Sequence, residues 1–251
     1  MPLNKSILLI GCGRMGSAML TGWRRAGFHN ITISDPAHAE HTHNISGAFD
    51  LLVLAVKPQE IETILPPLQN HLTPHTIILS IMAGVAVSRL KDLLNHDGIV
   101  IRAMPNTPAL IGKGITALFA PPDFLADQKD LTEALLTPMG DLLWVDDENL
   151  MNVITAVSGS GPAYLFYLTE VLTNAGIKQG LPEDIAAQCA RSTLIGAAYL
   201  MEESPDLSPA HLREQVTSKG GTTEAALKIL MQNNGLQNLF NKAIEAASTR
   251  F

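Results

Sequence analysis

A chain of 251 residues, 46% hydrophobic and 16% charged, has material for a sizeable core and room for one large domain or two modest ones. Its formal net charge of −7 argues against wholesale binding to nucleic acid or to an anionic membrane, since both want a positive surface. The two cysteines, Cys12 and Cys189, argue against a structural disulfide and suit a reducing, cytoplasmic setting. Nothing in the sequence marks a low thiol pKa, so both read as small apolar filler rather than as nucleophiles. There is no low-complexity tract and no internal repeat.

The start, MPLNKSILLIG, reads as a short strand running into a turn, too short to span a membrane and without a signal-cleavage pattern. Within it, Ser6 to Ile10 is a continuous apolar run, as a strand buried on both faces would be. GCGRMG follows and opens a helix with apolar spacing through Met15, Met19, Leu20 and Trp23, stopped by Gly27. ITIS is a second strand, Leu51 to Val56 a third, Thr76 to Ile81 a fourth and Gly98 to Met104 a fifth. Helical patterns lie between them at Gln59 to Asn70 and Ser88 to Leu94. The alternation predicts a parallel sheet with helices on both faces, completed by Gly114 to Ala120 and by LLWVDDE near Leu142.

Past Asp147 no β-branched runs bounded by turns remain. Asn149 to Ala156, Ser160 to Ala175, Pro182 to Glu203, Pro209 to Thr217, Thr223 to Asn233 and Leu236 to Arg250 read as helices. Gly176, Gly180 and Gly235 are the expected stops, and Tyr164, Phe166 and Tyr167 the expected core. The expected fold is therefore an α/β Rossmann-like dinucleotide-binding domain over 1–147, then an all-α domain over 148–251.

GCGRMG (Gly11, Cys12, Gly13, Arg14, Met15, Gly16) fits G-x-G-x-x-G in its informative context, after a buried strand and opening a helix. The first glycine makes the tight turn, the second admits a pyrophosphate, and the third packs helix on sheet. The second strand ends at Ser34-Asp35, where an acid holds ribose hydroxyls and disfavours a 2′-phosphate. No arginine or lysine lies between Asp35 and Lys57, only His38, His41 and His43, read as a solvated loop rather than a metal cluster. These residues alone leave the cofactor's phosphate state open. AVKPQ, SIMAG and RAMPNTPA all close strands at carboxyl ends, where ligands of open α/β sheets bind. Lys57 is equally readable as a cofactor contact or a solvated lysine. RAMPNTPA is a loop stiffened by two prolines, suited to a nicotinamide wall or to a plain turn. SGSGPAY offers capping hydroxyls at a helix start. In TSKGGTTEAA, Thr217, Ser218, Thr222 and Thr223 surround Gly220-Gly221 before a helix, a turn suited to a carboxylate.

GCGRMG, AVKP, SIMAG, RAMPNTPA, DDE, SGSGPAY, the GL of QGLPED and LREQVTSKGGTT, in this order, resemble Δ1-pyrroline-5-carboxylate reductase over nearly the whole chain. The resemblance implies reduction of 1-pyrroline-5-carboxylate to L-proline with NADPH, NADH being the alternative, by an intertwined homodimer that in many members assembles into decamers. It implies that Gly11 to Gly16 hold the pyrophosphate. Ser34, Asp35, Asn44 and the loop Ala55, Val56, Lys57 and Pro58 line the cofactor. Ala83, Gly84, Met104 and Asn106 sit beside the nicotinamide. Ser218, Gly221, Thr222 and Thr223 hold the substrate carboxylate and ring nitrogen, with Thr223 and Ser218 closest to the chemistry, and Glu148 matches an acidic position near a partner's proline site. No metal is implied.

Three departures stand out. Asp35 to Asn44 is short where the family has a helix and a strand, so part of the adenosine-side wall is expected to be missing or rebuilt. Lys219 replaces the family's usual proline, a change expected to be tolerated. The chain ends soon after Ala247, so little tail is expected to be missing. Two rival readings fit the sequence less well. The β-hydroxyacid dehydrogenases share a similar front but rely on a lysine in the first long helix of the second domain, and Ser158 to Ala175 has none. A non-catalytic dinucleotide sensor would have no need of the TSKGGTT turn.

Overall fold

The computed structural model describes residues 4–250, so the first three residues of the expected N-terminal strand, and Phe251, lie outside it. It divides into two compact units between Ser160 and Gly161, the second running to Ala247.

The first unit is built on seven strands: β1 Ile7–Ile10, β2 Ile31–Ser34, β3 Leu51–Leu54, β4 Ile77–Ser80, β5 Val100–Met104, β6 Gly114–Phe119 and β7 Gly140–Val145. They form one sheet in the order β2-β1-β3-β4-β5-β6-β7. β1 pairs in parallel with β2 on one side and β3 on the other, and the parallel run continues through β4 and β5. β5 to β6 is antiparallel. The loop from Pro105 to Lys113 is shorter than the roughly dozen residues a parallel crossover needs.

Side chains alternate across the strands. Ile7, Leu9, Leu51, Val53, Ile77, Leu79 and Ile101 join one core, under helices α1 (Arg14–Arg25) and, further along, Ala126–Leu136. Leu8, Ile10, Leu52, Leu54, Ile78 and Val100 join the other, under Ile61–Ile64 (α2) and Val87–Leu94 (α3). Both faces are covered, which is why the parallel strands read as unbroken apolar runs.

Two expectations here need correction. The helix foreseen over Gln59 to Asn70 is broken into 3₁₀ turns at Pro58–Glu60 and Pro66–His71 around the single turn of α2. Pro66 and Pro67 bring no N–H to continue a helix. The helix Ala126–Leu136 (α4) went unread because its sequence is mostly polar and only Leu131, Thr132, Leu135 and Leu136 are buried. It matters to the fold: the Trp23 indole N–H donates to the Leu135 carbonyl at 2.8 Å, tying α1 to α4. After β7 come α5 (Leu150–Ile154) and a wide π-type turn, Thr155–Gly159.

The second unit contains α6 (Gly161–Lys178), α7 (Glu183–Glu202), α8 (Pro209–Gln215), α9 (Thr222–Leu230) and α10 (Leu236–Ser248). Gly176 does not stop α6. A Cβ there would lie 3.2 Å from Leu181 Cδ1 and 3.4 Å from Ala186 Cβ, so the glycine serves the approach of α7. The expected aromatic core is also absent from the single chain: Phe166 is 68% exposed and Tyr167 64%.

Candidate active site

β1 and β3 are neighbours although the chain visits β2 between them, so the sheet reverses its building direction at this point, where open α/β sheets bind ligands. The three motif glycines answer to different demands there. Gly11 has φ +87°, and a Cβ on it would lie 2.6 Å from the Ala55 carbonyl oxygen. A Cβ on Gly16 would lie 2.3 Å from the Gly11 oxygen. The fold itself requires both to be bare. A Cβ on Gly13 meets nothing within 4 Å, so its bareness serves something that approaches from outside. Gly13 caps α1, offers no side chain to occupy the N–H groups that follow, and no acid stands in the first turn. This cradle fits a pyrophosphate. Cys12 sits inside it with its thiol 3.5 Å from Ser17 Oγ. Burial pushes that thiol's pKa up against the lowering effect of Ser17, so it stays protonated and is no nucleophile.

Ser34 ends β2, and Asp35 is fixed at its tip. One carboxylate oxygen accepts from the Cys12 N–H at 2.6 Å and the other from the Ala37 N–H at 2.9 Å. These two donors hold the Asp35 carboxyl below the usual carboxylate range. The short segment after it is rebuilt from turns plus a single parallel bridge, Ile33 with His41, in place of a helix and strand. Its histidines work as turn acceptors: His41 Nδ1 takes the Asp35 N–H at 3.2 Å and His38 Nδ1 the Glu40 N–H at 3.1 Å. Among the described residues no group of three or more His, Cys, Asp or Glu is placed to hold a metal ion. Asn44 is exposed at the far end of this segment.

Ala55 and Val56 are half-buried beside the glycine loop, Lys57 is exposed, and Pro58 opens a 3₁₀ turn. Ala83 packs against the small cluster of Met104, Ala117 and Met151, with Gly84 at φ +71° beyond it. Asn106 has both ends of its amide engaged: Oδ1 accepts from the Ile115 N–H at 3.0 Å and Nδ2 donates to the Ser158 carbonyl at 3.3 Å. Gly159 lies against Met104. SGSG and RAMPN are thus docked on one another, and Asn106 is what holds them.

Sequence reasoning missed Arg102. It is 4% exposed in the middle of β5, and its Nη1 donates to Glu148 Oε1 at 2.9 Å. The same oxygen accepts the Val87 N–H, the first of α3, at 2.8 Å. Arg102 Nε and Nη2 are buried and find no hydrogen-bond partner among the described residues. Glu148 is therefore the ion that compensates a buried cation, and it ties the start of α3 to β5. The available signal was an arginine inside the apolar run VIRAM. Glu148→Ala should lower unfolding free energy by about 3 kcal/mol, at the lower end for a broken buried pair because Glu148 keeps some exposure. Denaturant titration checks it, and loss of less than about 1 kcal/mol contradicts the role.

In the helical unit, Gly221 caps α9, making Thr222 and Thr223 its first two residues. Thr223 is therefore the second residue of α9 and not its cap. The Gly221 N–H donates to the Ser218 carbonyl at 3.0 Å, closing the turn. The Gly220 N–H donates to Glu224 Oε2 at 2.7 Å, and Lys228 lies 3.6 Å from that carboxylate. Ser218 and Lys219 are exposed and Thr223 is half-buried.

A family model described as pyrroline-5-carboxylate reductase dimerisation matches residues 148–251, and one described as NADP oxidoreductase coenzyme F420-dependent matches 6–84. A pyrroline-5-carboxylate reductase of Pseudomonas aeruginosa is 40% identical over 97% of this chain and 94% of its own. This chain belongs to the pyrroline-5-carboxylate reductase family. A Bacillus subtilis reductase is 34% identical over 98% of the chain and 88% of its own length. The solved Coxiella burnetii reductase superposes with TM-score 0.88 at 34% identity, covering 98% of this chain and 97% of that one. A Plasmodium falciparum pyrroline carboxylate reductase with NADP bound gives 0.83 at 26%, covering 98% and 96%.

Membership explains the helical unit. Its only buried apolar residues are Ala186 and Ala190 among those described, while Phe166, Tyr167, Tyr199 and Leu239 are all more than half exposed. A reductase protomer with so little core of its own needs a second copy, and the chain is a homo-oligomer. Its melting temperature should rise with protein concentration, as mass action requires of coupled folding and assembly. Thermal scans over a hundredfold dilution check this, and a constant midpoint contradicts it. No helix among the described residues is long and apolar enough to cross a membrane.

Proposed function

We propose that this chain reduces 1-pyrroline-5-carboxylate to L-proline with hydride from NAD(P)H, and that its residues divide the work as follows. Gly11 to Gly16 bind the pyrophosphate, with Asp35 at the ribose and Ala55 to Pro58 along the dinucleotide. Ala83, Gly84, Met104 and Asn106 shape the nicotinamide side, Asn106 by fixing its loop. Gly221 was expected to offer its N–H as well, but that N–H closes the turn on the Ser218 carbonyl, so the Thr222 and Thr223 N–H groups take the substrate carboxylate, and the Thr223 hydroxyl bonds the ring nitrogen, with Ser218 beside it. Glu148 also stands near the substrate by family resemblance. The observation that carries this reading is the glycine-capped start of α9, where Gly221 brings no side chain to cap the helix and the one acid of the first turn, Glu224, is taken up by the Gly220 N–H and Lys228.

The bound cofactor supplies the hydride. The protein's part is to orient the imine and to exclude alternatives. A cyclic imine is readily protonated near neutral pH and is then the better hydride acceptor, so no strong general acid is needed. Lys219 is the only cation in TSKGGTT, and it is exposed. Holding the imine carbon in line can supply up to about 7–11 kcal/mol of the barrier reduction.

The domain boundary is best drawn at 147/148, which the span of the dimerisation match supports. Dimers assembling into decamers, in the cytoplasm, complete the proposal, and light scattering on the purified protein tests the assembly. The catalytic reading is tested by adding 1-pyrroline-5-carboxylate and following nicotinamide absorbance. Oxidation with proline formed supports it. Tight nucleotide binding without turnover favours a sensor, and turnover only with 3-hydroxy acids favours a dehydrogenase.

A further inference from the structure

We propose that Asp35, assisted by Glu40, makes this chain select the cofactor that lacks a 2′-phosphate, NADH over NADPH. The inference rests on the dinucleotide reading above and goes on to the choice it leaves open. An acid at the tip of the second strand accepts ribose hydroxyls and repels a phosphate there. In this chain the acid is not free to swing away. Its two oxygens are held by the Cys12 and Ala37 N–H groups, at 2.6 and 2.9 Å, so it stays beside the glycine loop. Those donors also keep it ionised through the neutral range.

A 2′-phosphate would bring nearly two further negative charges. Tolerating it takes an unengaged cation at this edge. No arginine or lysine lies between Asp35 and Lys57. Arg24, on the last turn of α1, is near enough to act on the Cys12 thiol electrostatically, but so is Glu40. Both guanidinium Nη atoms of Arg24 are bonded to the Glu40 carboxylate. His41 and His38 each use Nδ1 as an acceptor for a backbone N–H, which leaves that nitrogen no proton to donate. The short segment that departs from the family's pattern has thus replaced a wall with a compact acidic edge. The Arg24–Glu40 pair is exposed, and such pairs are weak. Asp35 is therefore the main determinant and Glu40 the lesser one. Arg14 stands in the first turn of α1, a place that suits the pyrophosphate common to both cofactors, and Lys57 lies exposed in the loop that follows Ala55 and Val56 beside Gly11.

The test is calorimetric titration of the intact oligomer, without substrate, using ADP-ribose and 2′-phospho-ADP-ribose as probes. The wild type should bind ADP-ribose at least tenfold more tightly. Asp35→Asn keeps the shape and an acceptor for the Cys12 N–H but removes the charge. It should cut that preference at least tenfold, while Glu40→Gln should cut it only about threefold. Arg14→Gln should weaken both probes alike. Tighter binding of the phosphorylated probe by the wild type overturns the proposal, as does a preference unchanged in Asp35→Asn or a loss in Arg14→Gln confined to the phosphorylated probe. If neither probe binds, the dinucleotide reading itself falls, a result distinct from binding with the opposite preference. The ratio of kcat/KM for NADH and NADPH should follow the binding ratio in each variant.

Discussion

Gly13→Val abolishes dinucleotide binding, raising Kd about a hundredfold or more, which is a loss of about 2.7 kcal/mol, while the protein stays folded. The two halves of this expectation come from the same geometry. A Cβ at Gly13 meets no protein atom within 4 Å, so the side chain costs the fold little. The space it fills is the space in front of the α1 N–H groups, where a pyrophosphate must come into contact. The thermal midpoint should move by no more than about 3 °C, the equivalent of roughly 1 kcal/mol in a chain of this size. Gly16→Val is the contrasting variant. Its Cβ would sit 2.3 Å from the Gly11 oxygen, so it should lose stability as well as binding. Titration of each variant with NADH, beside thermal unfolding, checks the pair. A Gly13→Val protein that binds normally removes the cradle from the functional site.

Thr223→Ala lowers kcat/KM for 1-pyrroline-5-carboxylate by more than tenfold, at least about 1.4 kcal/mol of transition-state stabilisation, with nucleotide affinity unchanged. A cap residue would instead lose stability, typically about 1 kcal/mol, with kinetics intact. The structure separates these outcomes in advance, because Gly221 is the cap and Thr223 is the second residue of the helix. Thr223→Ser keeps the hydroxyl and should recover most of the rate. Equal rates for Thr223→Ala and the wild type exclude the hydroxyl from the chemistry.

Much of this molecule was legible where the signal is local. Strands buried on both faces are continuous apolar runs such as LLVL, and a glycine turn between strand and helix is visible as GCGRMG. TSKGGTT could be read as a turn before a helix from its glycines alone. What was not legible depends on partners distant in sequence. Arg102 and Glu148 are 46 residues apart, and nothing in either neighbourhood announces the pair. The two backbone partners of Asn106, at Ile115 and Ser158, are likewise invisible in one dimension. Phe166 and Tyr167 read as core in the sequence because a subunit interface and a core select the same apolar side chains. The short stretch from Asp35 to Asn44 could be seen to be short, but not that it would fold its histidines back as turn acceptors.

The central claim is that hydride passes from a nicotinamide to the imine carbon of 1-pyrroline-5-carboxylate. The most direct measurement uses NADH carrying deuterium at both C4 positions, with the proline produced examined by mass spectrometry and NMR. One deuterium per molecule, located at C5 of L-proline, is the expected result. Proline without the label, or consumption of NADH with no proline formed, contradicts it.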